Sequence, residues 1–221
     1  WDLIAPLTFS LLGFKRLICI DLRPLIRPEI IHSTISRFVS LKDSLPFSVG
    51  DLIVPDRIDV DTLRREYRIE YMAPCNAAAT GLPDDSVDLV FSNNVLEHIP
   101  EGLMPDILGE CRRLLRVDGF CDFQIDYQDH WSYFDQSIGI YNFLHYPSPQ
   151  WRRMNPPLHY QNRLRHSDYT RFFEEVGLTI RDEQVGVPCK VDWDKLVKKG
   201  IAAEFVQRYS ENDLQVPFAR F

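Results

Sequence analysis

No apolar run in these 221 residues reaches the length of a membrane-spanning helix, so no membrane partner is expected. Basic residues are outnumbered: 25 Lys and Arg stand against 32 Asp and Glu, a formal net charge of −7. Non-specific binding of DNA or RNA needs a basic surface, so nucleic acid is not an expected partner either. The five cysteines (Cys19, Cys75, Cys111, Cys121, Cys189) are scattered, with no CxxC and no Cys/His ligand spacing. This argues against structural zinc and a disulfide framework, and for a reduced, cytoplasmic setting. The apolar opening WDLIAPLTFSLLGF lacks the basic flank and cleavage site of a signal peptide and reads as a core helix. Repeats, low-complexity tracts and linkers are missing too. With 45% hydrophobic residues, one sizeable core and a single domain over residues 1–221 are expected.

What is present alternates between strand-like and helix-like runs. Trp1 to Leu12 has helical spacing and stops at Gly13. Leu17 to Ile20 is a β-rich run ending at Asp21, and Pro24 to Val39 is helix-like but broken by Pro28. Residues 41–58 read as an irregular connection, Asp59 to Tyr67 as a helix, Arg68 to Met72 as a strand, and Ala77 to Asp85 as a loop. Val87 to Phe91 is the next strand and Glu101 to Leu115 the next helix. A turn at Asp118-Gly119 precedes a strand over Phe120 to Ile125. After the middle of the chain come a helix over His166 to Val176 and a strand over Leu178 to Val185. A helix over Asp192 to Gln207, weakened by Gly200, and a strand over Leu214 to Phe221 complete the pattern. Strands alternating with helices predict an α/β fold with a mostly parallel sheet.

Residues 127–163 break this alternation. They hold Tyr127, Trp131, Tyr133, Phe134, Tyr141, Phe143, Tyr146, Trp151 and Tyr160, with prolines at 147, 149, 156 and 157. So long a segment inside an α/β unit is usually functional, and it is expected to be an insert or lid. A satellite core or an oligomer interface is the plainer use of the same aromatics, and a homodimer is left open.

DDSVDLVFSNNVLEHIP sets a buried-looking strand against an abrupt cluster of small polar residues, Ser92-Asn93-Asn94. Such a switch marks the carboxyl edge of a parallel sheet, where ligands bind. LICIDLRP, MAPCNAAATGLPDDSVDLVFSNNVLEHI and ILGECRRLLRVDGFCDFQID follow one another in an order that resembles a class I S-adenosylmethionine-dependent methyltransferase. The most specific stretch is LPDDSVDLVFSNNVLEHI followed by RRLLRVDGF. Val117-Asp118-Gly119 stands where that family has Pro-Gly-Gly. RLRHSDYTRFFEEVGLTI resembles its later helix and strand. The resemblance implies a Rossmann-like, doubly wound sheet with helices on both faces, S-adenosylmethionine as cofactor, and methyl transfer to a small-molecule acceptor.

It also assigns residues. Asp21, followed by Leu22, would accept hydrogen bonds from two vicinal ribose hydroxyls, although an aspartate there can equally serve a turn. Asn76-Ala77 would meet adenine, the Asn carbonyl accepting from the amino group. Ser92, Asn93, Asn94 and His98 would surround the methionine end, while one asparagine can equally cap a helix. The family's first strand and its Glu-x-Gly-x-Gly turn are not within these residues, and a segment carrying them is expected to precede Trp1, the alternative being a departure from the family's fold.

The candidate catalytic residues lie in QIDYQDHW. Histidine is the side chain whose ordinary pKa lies near neutrality, so His130 is the candidate base, oriented by Asp126 or Asp129. With a base present, a hydroxyl is the expected acceptor atom. Asp126, Asp129 and His130 have no diagnostic metal spacing, and no metal is expected. Tyr127, Trp131, His159, Tyr160 and Arg163 are the candidate acceptor contacts. Two other readings compete: a cofactor-binding pseudoenzyme or a different reaction on the same fold, and a nicotinamide-dependent enzyme, for which Asp21 would serve as well.

Overall fold

In the computed structural model, residues 2–46, 54–135 and 137–221 are described. They fall into two units, Trp1–Thr80 and Gly81–Phe221. The expected irregular connection over 41–58 lies partly outside the described residues; its described start holds a 3-10 turn at Lys42–Ser44.

The first unit contains α1 (Ile4–Leu11), β1 (Leu17–Ile20), α2 (Pro28–Ser40), α3 (Val60–Tyr67) and β2 (Ile69–Met72). Gly13, at a φ of 92°, ends α1 as expected. The proline that was expected to interrupt a helix from Pro24 instead begins α2, occupying its first turn, where a missing N–H is harmless. Ile31 and Ile35, one turn apart, are fully buried on the inner face of α2. Asp59 caps α3 by accepting from the Thr62 N–H at 2.8 Å. The strands β1 and β2 pair in parallel, with Leu17 opposite Ile69 and Ile20 opposite Met72. Leu3, Leu7, Ile31, Ile35, Leu63 and Ile69 share one apolar core.

The second unit contains β3 (Val87–Asn93), α4 (Met104–Leu114), β4 (Leu115–Asp126), α5 (Ser148–Met154), α6 (His166–Glu175) and β5 (Gln184–Val185). Then follow α7 (Lys190–Lys199), α8 (Ala203–Arg208), α9 (Glu211–Leu214) and β6 (Phe218–Arg220). Its sheet has the order β3-β4-β6-β5. The β3–β4 pair is parallel, joined through α4, and β6 is antiparallel to both neighbours. The α/β class and its parallel pairs therefore hold.

Several boundaries differ from the sequence expectation. β3 runs on through Ser92 and Asn93, because both residues keep ladder partners on β4, Phe123 and Gln124. Asp118-Gly119 is not a turn between helix and strand; β4 passes straight through it, with a register slip against β3. A Cβ on Gly119 would lie 3.1 Å from the carbonyl oxygens of Arg116 and Asp88, so the slip favours glycine. The strand expected over Leu178 to Val185 reduces to Gln184–Val185. Gly200, at a φ of 91°, divides the expected long C-terminal helix into α7 and α8. Of the last expected strand, residues 218–220 are extended and the start is α9.

Two cores serve this unit. One contains Leu108, Phe123, Ile125, Tyr127, Tyr169 and Phe172 around the sheet. The other joins the aromatic insert to the later helices through Tyr141, Phe143, Leu144, Trp151, Trp193 and Phe205. Arg165 is fully buried between them and donates to the carbonyls of Tyr127, Leu214 and Val216 at 2.9, 3.0 and 2.6 Å.

Candidate active site

β4 ends at Asp126, and its carboxylate is the centre of a polar cluster. The backbone N–H of Gln128 donates to Asp126 Oδ1 at 3.0 Å, and the Tyr133 hydroxyl donates to Oδ2. His130 Nε2 stands 3.3 Å from the same Oδ2, within ion-pair distance but off the geometry of a hydrogen bond. Burial pushes the Asp126 carboxyl up, yet His130, Tyr133 and Gln128 together outweigh it and hold the group below its ordinary value. A buried, ionised Asp126 beside His130 is the arrangement that orients an imidazole and stabilises its protonated form.

Asp129, the other candidate partner for His130, is used differently. Its Oδ1 accepts from the Trp131 N–H at 3.0 Å, which caps the 3-10 turn His130–Tyr133, and its Oδ2 accepts from Asn142 Nδ2 at 3.1 Å. Burial raises its carboxyl. Asp126, not Asp129, is therefore the residue placed to orient His130.

Facing His130 is a second turn, Leu96–His98, which follows β3. The His98 and His130 rings meet edge to face, centroids 4.9 Å apart. His98 Nδ1 donates to the Tyr160 carbonyl at 2.7 Å, which leaves its Nε2 as the lone-pair nitrogen in the neutral ring. Burial, the largest influence, lowers the His98 pKa and favours that neutral form. Glu97 is 1% exposed, and neither carboxylate oxygen has a hydrogen-bond partner. Burial pushes its carboxyl up to about 8. Glu97 was legible only as the middle of Leu-Glu-His; its burial is a tertiary fact. Both turns are fixed by residues 160–162. Asn162 donates from its backbone to the Glu97 carbonyl at 2.7 Å and from Nδ2 to the Leu96 and Ile99 carbonyls. Gln161 Oε1 accepts from the His130 N–H at 3.2 Å.

The expected acceptor contacts separate into three places. Trp131 and His159 stay together near His130, with Phe134: the His159 centroid is 5.1 Å from Trp131 and 6.2 Å from His130. Trp131 and Phe134 are exposed, and His159 Nε2 is buried without a hydrogen-bond partner. Tyr127 does not belong to them. It is buried in the sheet core and stacked on Tyr169, because its N–H continues the strand pairing to the Pro217 carbonyl. Arg163 is spent on the insert itself, donating to the carbonyls of Phe143 and Tyr146, to Ser148 and to Glu204, and lying over Phe205. With Tyr160 it lines a cavity of about 530 Å³ between the insert and α8.

The residues assigned to the cofactor lie on both units. In the first, Asp21 follows β1; its Oδ2 accepts from the Tyr71 hydroxyl at 2.6 Å, and Leu22 beside it is exposed. Asn76 Oδ1 accepts from the Ala78 N–H at 3.0 Å, a local turn that includes Ala77 and engages the carbonyl expected to face adenine. In the second, Ser92 Oγ is buried without a partner, and Asn93 is exposed at the strand end. Asn94 turns the chain at a φ of 53°, a conformation asparagine tolerates, with its N–H still bonded to the Gln124 carbonyl. An orphaned hydroxyl at a strand end is a fitting contact for a polar ligand.

Residues 57–123 match the family described as "Methyltransferase domain". Over this stretch the chain is similar to that family. It includes β3 and the Leu96–His98 turn and stops just before Asp126. Comparison with curated proteins gives no match. Among solved structures, the chain is similar to a SAM-dependent methyltransferase from Methanosarcina mazei, at 12% identity and a TM-score of 0.48, covering 84% of this chain and 79% of that one. It is similar to another from Archaeoglobus fulgidus, at 15% identity and 0.43, covering 99% and 91%. A third is from Leishmania major, at 12% identity and 0.41, covering 73% of this chain and 49% of that one. The match thus spans about half the length of the Leishmania protein. No described helix is long and apolar enough to cross a membrane.

Proposed function

We propose that the protein is a methyltransferase that uses S-adenosylmethionine and methylates a hydroxyl of a small-molecule acceptor in the cytoplasm. The methyltransferase-domain match over residues 57–123 supports the reaction class. The His130–Asp126 pair, 3.3 Å apart at the end of β4, supports the choice of a hydroxyl. The cofactor supplies a methyl group on a sulfonium. On this reading Asp21 and Leu22 hold its ribose, Asn76 and Ala77 its adenine, and Ser92, Asn93, Asn94 and His98 its methionine end.

The chain's own work is positioning and proton removal. Trp131 and His159, with Phe134, form an aromatic wall that seats an organic acceptor beside His130. His130 takes the hydroxyl proton, and the buried Asp126 carboxylate stabilises the imidazolium that results. Tyr133 and the Gln128 N–H keep that carboxylate ionised.

Calorimetric titration with S-adenosylmethionine, S-adenosylhomocysteine and NAD tests the cofactor. Binding of the first two and not of NAD is expected; binding of NAD alone would overturn the reading. Transfer of labelled methyl to hydroxylated acceptors then tests the base. His130→Ala should lower turnover by about 10²–10⁴-fold with cofactor affinity unchanged. A variant with undiminished turnover would remove His130 from that role.

A further inference from the structure

We infer that Glu97, His98 and His130 form a binding site for a divalent first-row metal ion. One ligand atom from each of the three lies within 4.8 Å of the others. Ligands on a bound zinc are closer, on the order of 3.5 Å apart at metal–ligand distances of about 2.0–2.2 Å, so the cluster must contract by about an ångström to close on an ion.

Each ligand is prepared for the task. Glu97 is 1% exposed and both its oxygens lack a hydrogen-bond partner. A buried carboxylate without partners is costly, and a cation removes the cost directly. His98 gives its Nδ1 proton to the Tyr160 carbonyl at 2.7 Å, which aims an unprotonated Nε2 outward, the usual outer support of a metal-bound histidine. His130 is buried, and its Nε2 has no hydrogen-bond partner, although Asp126 Oδ2 stands 3.3 Å from that same nitrogen. The turn that carries Glu97 and His98 is held by Asn162, and the His130 backbone by Gln161. Two ligand-bearing turns are thus tied to one short segment.

Two imidazoles and a carboxylate select zinc, cobalt, iron or manganese over magnesium and calcium, which prefer all-oxygen sites. Three protein ligands leave a position open, and exposed His98 sits on the solvent side of the cluster. An acceptor hydroxyl in that position would give up its proton to solvent water more readily, with the metal in place of His130 as the activating group. That last step rests on the methyl-transfer reading; metal capture does not.

The full chain, stripped with a chelator and dialysed, is titrated with Co²⁺ followed by visible absorption, and with Zn²⁺ by calorimetry. One ion per chain is expected, with affinity at least tenfold weaker in both Glu97→Gln and His98→Ala. Glu97→Gln is nearly isosteric and removes an unpartnered buried acid, so it should fold; a thermal melt of each metal-free variant checks this. Absence of binding below millimolar metal, or equal affinity in folded Glu97→Gln, overturns the site. S-adenosylhomocysteine binding is measured on the unsubstituted chain. Its absence there with metal binding intact sinks the methyltransferase reading and leaves the metal site standing. Its presence with metal binding absent does the reverse.

Discussion

Asp21 shows what a single side chain can carry and how it can be checked. Tyr71 donates to one of its oxygens at 2.6 Å, and the Asp21 backbone is bonded on both sides, to Met72 and Cys75. The carboxylate is therefore set in place before any ligand arrives. If it accepts from ribose hydroxyls, Asp21→Ala should weaken S-adenosylhomocysteine binding by about 1.5–3 kcal/mol, the size of a lost charge-assisted hydrogen bond. Calorimetry on the full chain reads this, and an unchanged dissociation constant takes Asp21 out of the ribose site. At this scale the sequence was informative where neighbours in the chain are neighbours in space. Asp126 and His130 are four residues apart, and their pairing could be anticipated. It was uninformative where tertiary structure decides. Asp129 is closer to His130 in sequence than Asp126, yet Asn142 and its own capping bond turn it away. Glu97 and Asn162 meet only through the fold.

Elements impose constraints of a different kind. The Val117-Asp118-Gly119 stretch looked like a turn because Asp-Gly is a turn signal, but cross-strand pairing with β3 overrode it. The result is a slip in register that crowds any added Cβ. Gly119→Val should destabilise the protein by about 1–3 kcal/mol, read from the urea midpoint, since its Cβ would press on two carbonyl oxygens. Gly102→Ala, where an added Cβ meets nothing within 4 Å, is the control and should change stability by less than about 0.5 kcal/mol. The insert offers a pH test. Glu204 accepts from Ser148 at 2.7 Å and from Arg163 at 3.0 Å, tying α5 to α8. Burial pushes the Glu204 carboxyl up, but the bonds from Ser148 and Arg163 outweigh it and the net shift is downward. Arg163, drawn down to about 10 by burial, stays charged at neutral pH. A carboxyl whose folded pKa lies below its unfolded value of about 4.3 stabilises the fold above that value. The contribution fades as pH falls through the folded pKa. Glu204→Gln should therefore lose stability at pH 7 and show a shallower decline than wild type below pH 5. Glu204 is 40% exposed on its side chain, so the effect is modest.

Across the whole molecule, the alternation of strand and helix was legible because it depends on local periodicity, while the strand ladder was not. Two parallel pairs and an antiparallel β6 between β4 and β5 follow from pairings made far apart in the chain. The aromatic insert was legible as an anomaly, but not as two things. Tyr141, Phe143 and Trp151 fill a core with α7 and α8, and Trp131, Tyr133 and Phe134 remain exposed near His130. Aromatic composition is the same in both, and only the helices that follow decide which rings are covered. Net charge is a whole-molecule quantity that composition gives outright, and it makes a prediction that does not depend on any site. At −7, with 32 acids against 25 bases, the chain repels polyanions over its surface as a whole. Non-specific binding to DNA and RNA is driven by release of counterions on phosphate neutralisation, so it should be weak even where salt is low. No mobility shift of duplex DNA or single-stranded RNA is expected at micromolar protein in about 50 mM salt, a condition that favours such binding. A shift that disappears as salt rises would show a basic surface concealed by the average, and would move a nucleic acid into consideration as the methyl acceptor. A labelled-methyl assay with total RNA beside a small hydroxylated compound would then choose between them, and incorporation into the small compound alone is the expected result.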